Sequence, residues 1–262
     1  MAVEAPPGEN GPYLQLNGIS KNFGAVQALS DVDFSVKLGE VVALVGDNGA
    51  GKSTLIKIVS GTETASAGEV RVEGRVCHLR SPRDAAGVGI ETVYQDLALC
   101  DNLDVVANLF LGREPAPGDL PGAPLSEAQM EKRSLEVLGS LHIRIPSVRA
   151  AVGALSGGQR QSIAVGRAVL WGSKLVLLDE PTAALGVAQQ REVLALVRRL
   201  KDRGLGVVVI SHNLQQVFDV ADRVVVLRLG RVAANLRRAD VTSEEVVRYI
   251  TGAQTAQAGA YA

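Results

Sequence analysis

Gly46-Asp47-Asn48-Gly49-Ala50-Gly51-Lys52-Ser53-Thr54 gathers glycines, an ammonium group and two hydroxyls in one short stretch. It fits G-x-x-x-x-G-K-[ST], a loop in which glycines let backbone N–H groups close around phosphate oxygens. In that pattern Lys52 reaches the β- and γ-phosphates of a nucleotide and the Ser53 hydroxyl binds Mg²⁺. A Gly-rich turn that merely happens to contain Lys and Ser would match this fully about once in a hundred chains, given ordinary glycine usage. Downstream, Leu155-Ser156-Gly157-Gly158-Gln159 reads as a helix start, and Leu175-Val176-Leu177-Leu178-Asp179-Glu180 ends an apolar run in two carboxylates. Acids at a strand end near bound phosphates can hold a metal ion or orient a water, although alone they read as solvated surface groups.

These segments need elements to hold them. Val41 to Val45 is a short β-branched run bounded by Gly39 and Gly46, and Leu55 to Val59 continues the apolar pattern as a helix. The phosphate loop therefore falls between a buried strand and a helix N-terminus, whose dipole favours anions. Apolar strands are expected at 91–94, 174–178 and 206–210, alternating with helical stretches as in a parallel sheet covered on its faces. Tyr13 to Leu16, Val32 to Val36 and Glu69 to Gly74 alternate instead, which predicts an antiparallel β subdomain beside the nucleotide site. Between Gln95 and Leu155 the texture turns helical, with Val105 to Leu111 and a capped helix from Ser126 to Leu141, separated by the Pro-rich loop 115–124. The expected fold is thus α/β, a mixed and mostly parallel core with the β subdomain and an inserted helical subdomain over about 96–165. One domain is expected over 13–252, with flexible tails at 1–12 and 253–262.

Composition sets limits. The chain has 262 residues, 47% of them hydrophobic and 21% charged, enough to bury a sizeable core. A net charge of −1 offers no basic field, so no nucleic-acid partner is expected. Cys77 and Cys100 read as reduced thiols, and the histidines lack metal-ligand spacing. No apolar run reaches the roughly 18 residues needed to span a bilayer, and the acids near Met1 do not suit a signal peptide. A cytoplasmic protein is expected, so in any transport role another polypeptide must form the pore.

The segment Leu155-Ser156-Gly157-Gly158-Gln159-Arg160-Gln161, placed between the phosphate loop and Asp179-Glu180, resembles the signature of the ATP-binding cassette family, the engines of ABC transporters. The resemblance runs from about Leu16 to about Gly252. It implies a P-loop ABC ATPase that binds ATP and Mg²⁺ through Gly46, Asn48, Gly49, Ala50, Gly51, Lys52, Ser53 and Thr54. Asp179 would support Mg²⁺ and Glu180 would polarise the attacking water. His212 matches the switch histidine that contacts the γ-phosphate, though a lone histidine after a strand is more often structural. Gln95 matches the Q-loop glutamine, which touches Mg²⁺ and water, while Phe23 matches the aromatic that stacks on adenine; a local core plug is the other reading of Phe23. Ser156, Gly157, Gly158 and Gln159 would contact ATP on an opposing cassette, and an ordinary N-cap at Ser156 shares that geometry. One position departs: Gly186 stands where most of the family carry an aspartate that helps the two halves of the dimer communicate.

A finer resemblance, to ATP-binding subunits of simple-sugar importers, rests on Val93 to Leu99, Asn108 to Glu114 and Thr182 to Gly186 together with the phosphate loop. It implies import of a monosaccharide through a multi-spanning permease, with the cassette held at the cytoplasmic face of the membrane and an extracytoplasmic sugar-binding protein as indirect partner. A single cassette implies a second copy, most simply a homodimer. An ABC ATPase serving another substrate, or a soluble non-transport ABC ATPase, shares the same catalytic motifs.

Overall fold

A computed structural model describes residues 11–114 and 126–254. The Pro-rich stretch 115–124 and the tails, apart from residues 11–12 and 253–254, lie outside the described residues. The main sheet has six strands: β10 (Arg231–Arg237), β9 (Arg223–Arg228), β3 (Val41–Val45), β8 (Gly206–Ile210), β7 (Leu175–Asp179) and β6 (Ile90–Val93) in spatial order. From β6 to β9 every neighbour is parallel, and only β10 returns antiparallel. All residues of β3 and β8 are buried, as β-branched runs covered on both faces require.

The period of two assigns each face its own core. Leu175, Leu177, Val208 and Ile210 pack on the side of α1 (Lys52–Val59), together with the second sheet. Val176, Leu178, Val207 and Val209 pack on the other side, against α3 (Val105–Phe110), α4 (Glu127–Ser140), α5 (Gly157–Leu170) and α6 (Val187–Asp202). Two further helices, α7 (Leu214–Val220) and α8 (Ser243–Thr251), pack on β3, β9 and β10, while α2 (Pro82–Gly87) leads into β6.

The second sheet is antiparallel, in the order β2 (Val26–Val36), β1 (Leu14–Phe23), β4 (Ala67–Val72), β5 (Arg75–Val76). Its first hairpin extends well beyond the alternation visible in the sequence, because bulges between Leu16 and Asn22 break the period while pairing continues to Phe23 and Val26. The hairpin of β9 and β10 and the helix α8 lie outside the elements expected from the pattern. Ser126 precedes α4 as expected, but its side chain makes no capping hydrogen bond.

Two polar devices fix these layers. Arg223 on β9 is gripped by Glu40 at 2.7 and 3.1 Å and also donates to Ser35 O and Asn235 Oδ1, so a single guanidinium joins the two sheets. In the helical insertion, fully buried Asn108 accepts from Cys100 N at 2.7 Å and donates to Cys100 O, closing the segment that follows Gln95. Among the described residues no helix is long and apolar enough to cross a membrane. Arg223→Met leaves Glu40, a mostly buried carboxylate, without its cationic partner and, among the described residues, with only the Lys37 N–H donating to it. The expected outcome is a loss of about 3 kcal/mol, read as a lower urea midpoint with an unchanged slope.

Candidate active site

The carboxyl ends of β3, β6, β7 and β8 point to one edge of the main sheet. There a cavity of about 610 Å³ opens, lined by Phe23, Asn48 to Thr54, Gln95, Asp179, Glu180 and His212, with Val26, Gln27, Ala28, Ala183 and Ile210. Residues quoted from five separate stretches of sequence thus meet in one crevice. Val26, Gln27 and Ala28 match no motif; their presence follows from the β1–β2 hairpin, in which Phe23 pairs with Val26.

Gly46 ends β3 with φ 149°, and a Cβ there would lie 2.2 Å from the carbonyl oxygen of Leu227 on β9. Only glycine lets the chain leave the sheet so close to its neighbour. Helix α1 then begins after Gly51, its N-cap residue, with no side-chain cap and no acid in its first turn. Its N-terminus faces the cavity as an unshielded positive dipole end, suited to phosphate. Lys52 Nζ donates to Gly46 O at 2.6 Å and Asp47 O at 2.9 Å, which curls the ammonium over the loop. Burial pushes the Lys52 pKa down, against the opposing pull of Glu180, Asp47 and Asp179.

Asp179 closes β7, and Glu180 follows with φ 48°. Burial raises the Asp179 pKa, the Glu180 charge raises it further, and Lys52 lowers it. Glu180 Oε1 meets His212 Nδ1 at 2.9 Å, with the imidazole exposed and the carboxylate largely covered. Phe23 remains 46% exposed at the rim, with Lys21 Nζ 4.8 Å from its ring centroid. One face of the ring therefore holds a cation, held in turn by Glu63 and Thr64 O.

The fit of a metal can be judged from the donors. No cluster of three His, Cys, Asp or Glu side chains able to hold an ion exists among the described residues. The cavity instead offers a hydroxyl (Ser53), an amide oxygen (Gln95) and a carboxylate (Asp179). These are hard oxygen donors, too few to cage an ion, and they suit Mg²⁺ shared with substrate phosphates. Burial and the Glu180 charge both disfavour ionised Asp179, so a cation held there would favour its charged form.

The segment Ser156 to Gln159 does not reach this cavity. It opens α5 through a reciprocal capping box, with Ser156 Oγ accepting from Gln159 N at 3.3 Å and Gln159 Oε1 accepting from Ser156 N at 3.0 Å. Ser156 and Gln159 instead line a second concavity with Arg144, Gln189 and Arg199. Gly158 permits close packing here, since a Cβ would approach Gln189 Cβ of α6 to 3.0 Å. At the head of α6, Gly186 has φ −68° and open space where a Cβ would stand. An aspartate would fit there without strain, so its absence has no steric cause.

A parallel sheet with a phosphate loop at one strand end and an acidic pair at another defines a P-loop nucleotide hydrolase. The chain belongs to the ABC transporter family, whose model matches residues 29–183. It is 47% identical to the xylose/arabinose import ATP-binding protein of Sulfolobus acidocaldarius, over 91% of this chain and 93% of that one. It is likewise 47% identical to the fructose import ATP-binding protein of Rhizobium meliloti, over 93% and 95% of the two chains. Among solved structures, an ATP-binding cassette of an ABC transporter in its ADP conformation superimposes with a TM-score of 0.77 at 28% identity, covering 92% of this chain and 95% of that one. A dimeric cassette bound to ADP and phosphate superimposes with a TM-score of 0.70 at 25% identity, covering 86% and 98%.

Gly46→Ala forces a Cβ against the Leu227 carbonyl. The variant is expected to lose about 1–3 kcal/mol of stability and to bind ATP more weakly. A thermal melt and an equilibrium nucleotide titration check both.

Proposed function

We propose that this chain is the ATP-hydrolysing subunit that powers import of a simple sugar through a separate membrane permease. The observation that carries this reading is the 47% identity to two sugar-import ATP-binding proteins over nearly their whole lengths. The cassette spans 13–252 in this reading, with its helical subdomain at about 96–165, and sits at the cytoplasmic face of the membrane.

ATP enters the cavity with adenine against Phe23 and its phosphates on the N–H groups of residues 46–54. Lys52 leaves the Gly46 and Asp47 carbonyls to meet phosphate charge, a stronger partner for an ammonium than a neutral carbonyl. Ser53, Asp179 and Gln95 would hold Mg²⁺, which would supply charge neutralisation across the phosphates. Glu180 orients the attacking water and accepts its proton, while His212, already in contact with Glu180, senses the γ-phosphate. Such chemistry depends on positioning and electrostatics more than on covalent steps.

Ser156 and its glycines lie outside the cavity, which supports their acting on ATP held by a second copy in a head-to-tail homodimer. With Gly186 in place of aspartate, that communication loses one carboxylate. Closure and reopening of the dimer would shift the permease between conformations, and the sugar-binding protein would meet the permease from outside.

Two experiments test this reading. A tagged pull-down from detergent-solubilised native membranes should recover a multi-spanning permease, with a sugar-binding protein. Recovery of soluble, ribosomal or DNA-bound partners alone would overturn transport and leave the ATPase. Mixing Ser156→Arg with Lys52→Ala protein should restore part of the ATPase activity that each lacks alone, through one intact composite site. Absence of rescue from two folded variants would refute the head-to-tail dimer.

A further inference from the structure

Thr182 and Gln216 are buried polar side chains, 5% and 8% exposed, one on the turn after β7 and the other in the first turn of α7. Thr182 Oγ1 donates to Gln216 Oε1. Neither lines the nucleotide cavity, but each stands close in sequence to a residue that does: Thr182 follows Glu180, and Gln216 follows His212. Glu180 and His212 are themselves joined side chain to side chain at 2.9 Å. The turn after β7 and the segment running from β8 into α7 therefore form a ring closed twice, once at the Glu180–His212 contact and once at the Thr182–Gln216 bond.

Local hydrogen bonds fix both anchor points. Ala183 N donates to Glu180 O at 3.0 Å, which folds the turn carrying Thr182. On the other segment Asn213 N donates to Ser211 Oγ at 3.0 Å, and Asn213 Oδ1 caps α7 by accepting from Gln216 N at 3.3 Å. These bonds flank His212 on both sides. The two segments share one further link, Glu180 N to Ile210 O at 3.0 Å at the strand ends.

A pair of apolar side chains would fill the same space with no desolvation cost. What a hydrogen bond adds is direction and a fixed separation. Glu180 needs that help, because φ 48° is uncommon for a residue with a side chain.

We propose that the Thr182–Gln216 hydrogen bond is a positioning strap that holds Glu180 and His212 in register for hydrolysis. Thr182 and Gln216 act through that pair and touch no substrate. The inference rests on the reading of Glu180 as the water-orienting carboxylate.

The test uses the full chain, with steady-state ATP hydrolysis, equilibrium ATP binding and a thermal melt for each variant. Thr182→Val and Gln216→Met keep packing volume and remove the bond, and Thr182→Ser retains the hydroxyl. Each of the first two should lower kcat roughly tenfold while ATP affinity stays within about twofold, the mark of an interaction used only in the transition state. The double variant should lose little more than the worse single one, and Thr182→Ser should keep most of the activity. Unchanged kcat in either folded variant would overturn the strap. So would a parallel loss of affinity and melting temperature, or Thr182→Ser as impaired as Thr182→Val. Glu180→Gln, measured alongside, separates the two levels. If it is inactive while the strap variants turn over normally, only the strap fails; if it turns over like wild type, the Glu180 reading and the strap fail together.

Discussion

Parallel register between neighbouring strands is the constraint on which the site depends. Because β6, β7, β8 and β3 run the same way, their carboxyl ends share one edge, and whatever follows each strand is delivered to the same crevice. Gln95, Asp179-Glu180, His212 and the phosphate loop are distant in sequence but leave the sheet side by side. The arrangement holds only if the strands stay buried on both faces, which β3 and β8 achieve with uninterrupted apolar runs. The exit of β3 is the tightest point: Gly46 passes under the Leu227 carbonyl with no room for a side chain.

That edge collects opposing charges in a partly buried place. Asp179 and Glu180 sit together, Lys52 stands opposite, and burial works against the charged form of both Asp179 and Lys52. The lysine donates to two loop carbonyls, and the glutamate meets His212. In the proposed reading, a nucleotide with a divalent cation would bring charges of both signs to this edge and offset that cost. The second sheet belongs to the same assembly. Its hairpin brings Phe23 to the rim, and Arg223 with Glu40 holds it against the main sheet.

The helical insertion obeys a different logic. Its core lies on the opposite face of the sheet from α1, and α5 presents Ser156 away from the cavity of its own chain. The capping box uses the Ser156 hydroxyl and the Gln159 backbone amide locally. In the proposed head-to-tail pair, a segment so placed would meet a nucleotide held by the second copy.

Much of this was legible in one dimension. The strand Val41–Val45 carries its own boundaries because β-branched runs between glycines have few other conformations, and the phosphate loop announces itself because backbone amides can surround phosphate only where glycines permit. Asp179-Glu180 and His212 could be placed at strand ends by the apolar runs before them. The reach of β1 to Phe23 could not, since bulges erase the alternation that marks a strand. Strand β9 carries the same apolar signal as β3 in Val224 to Leu227, whereas its partner β10 is only half buried and mixes polar with apolar residues. Thr182 and Gln216, 34 residues apart, carry no sign that they meet. Sequence by itself determined the local chemistry: which residues can cradle phosphate, which can carry charge, and which must be buried. Tertiary structure alone decided which of them share a cavity and which face away, because that depends on how the strands are ordered and on hydrogen bonds between side chains that no local pattern encodes.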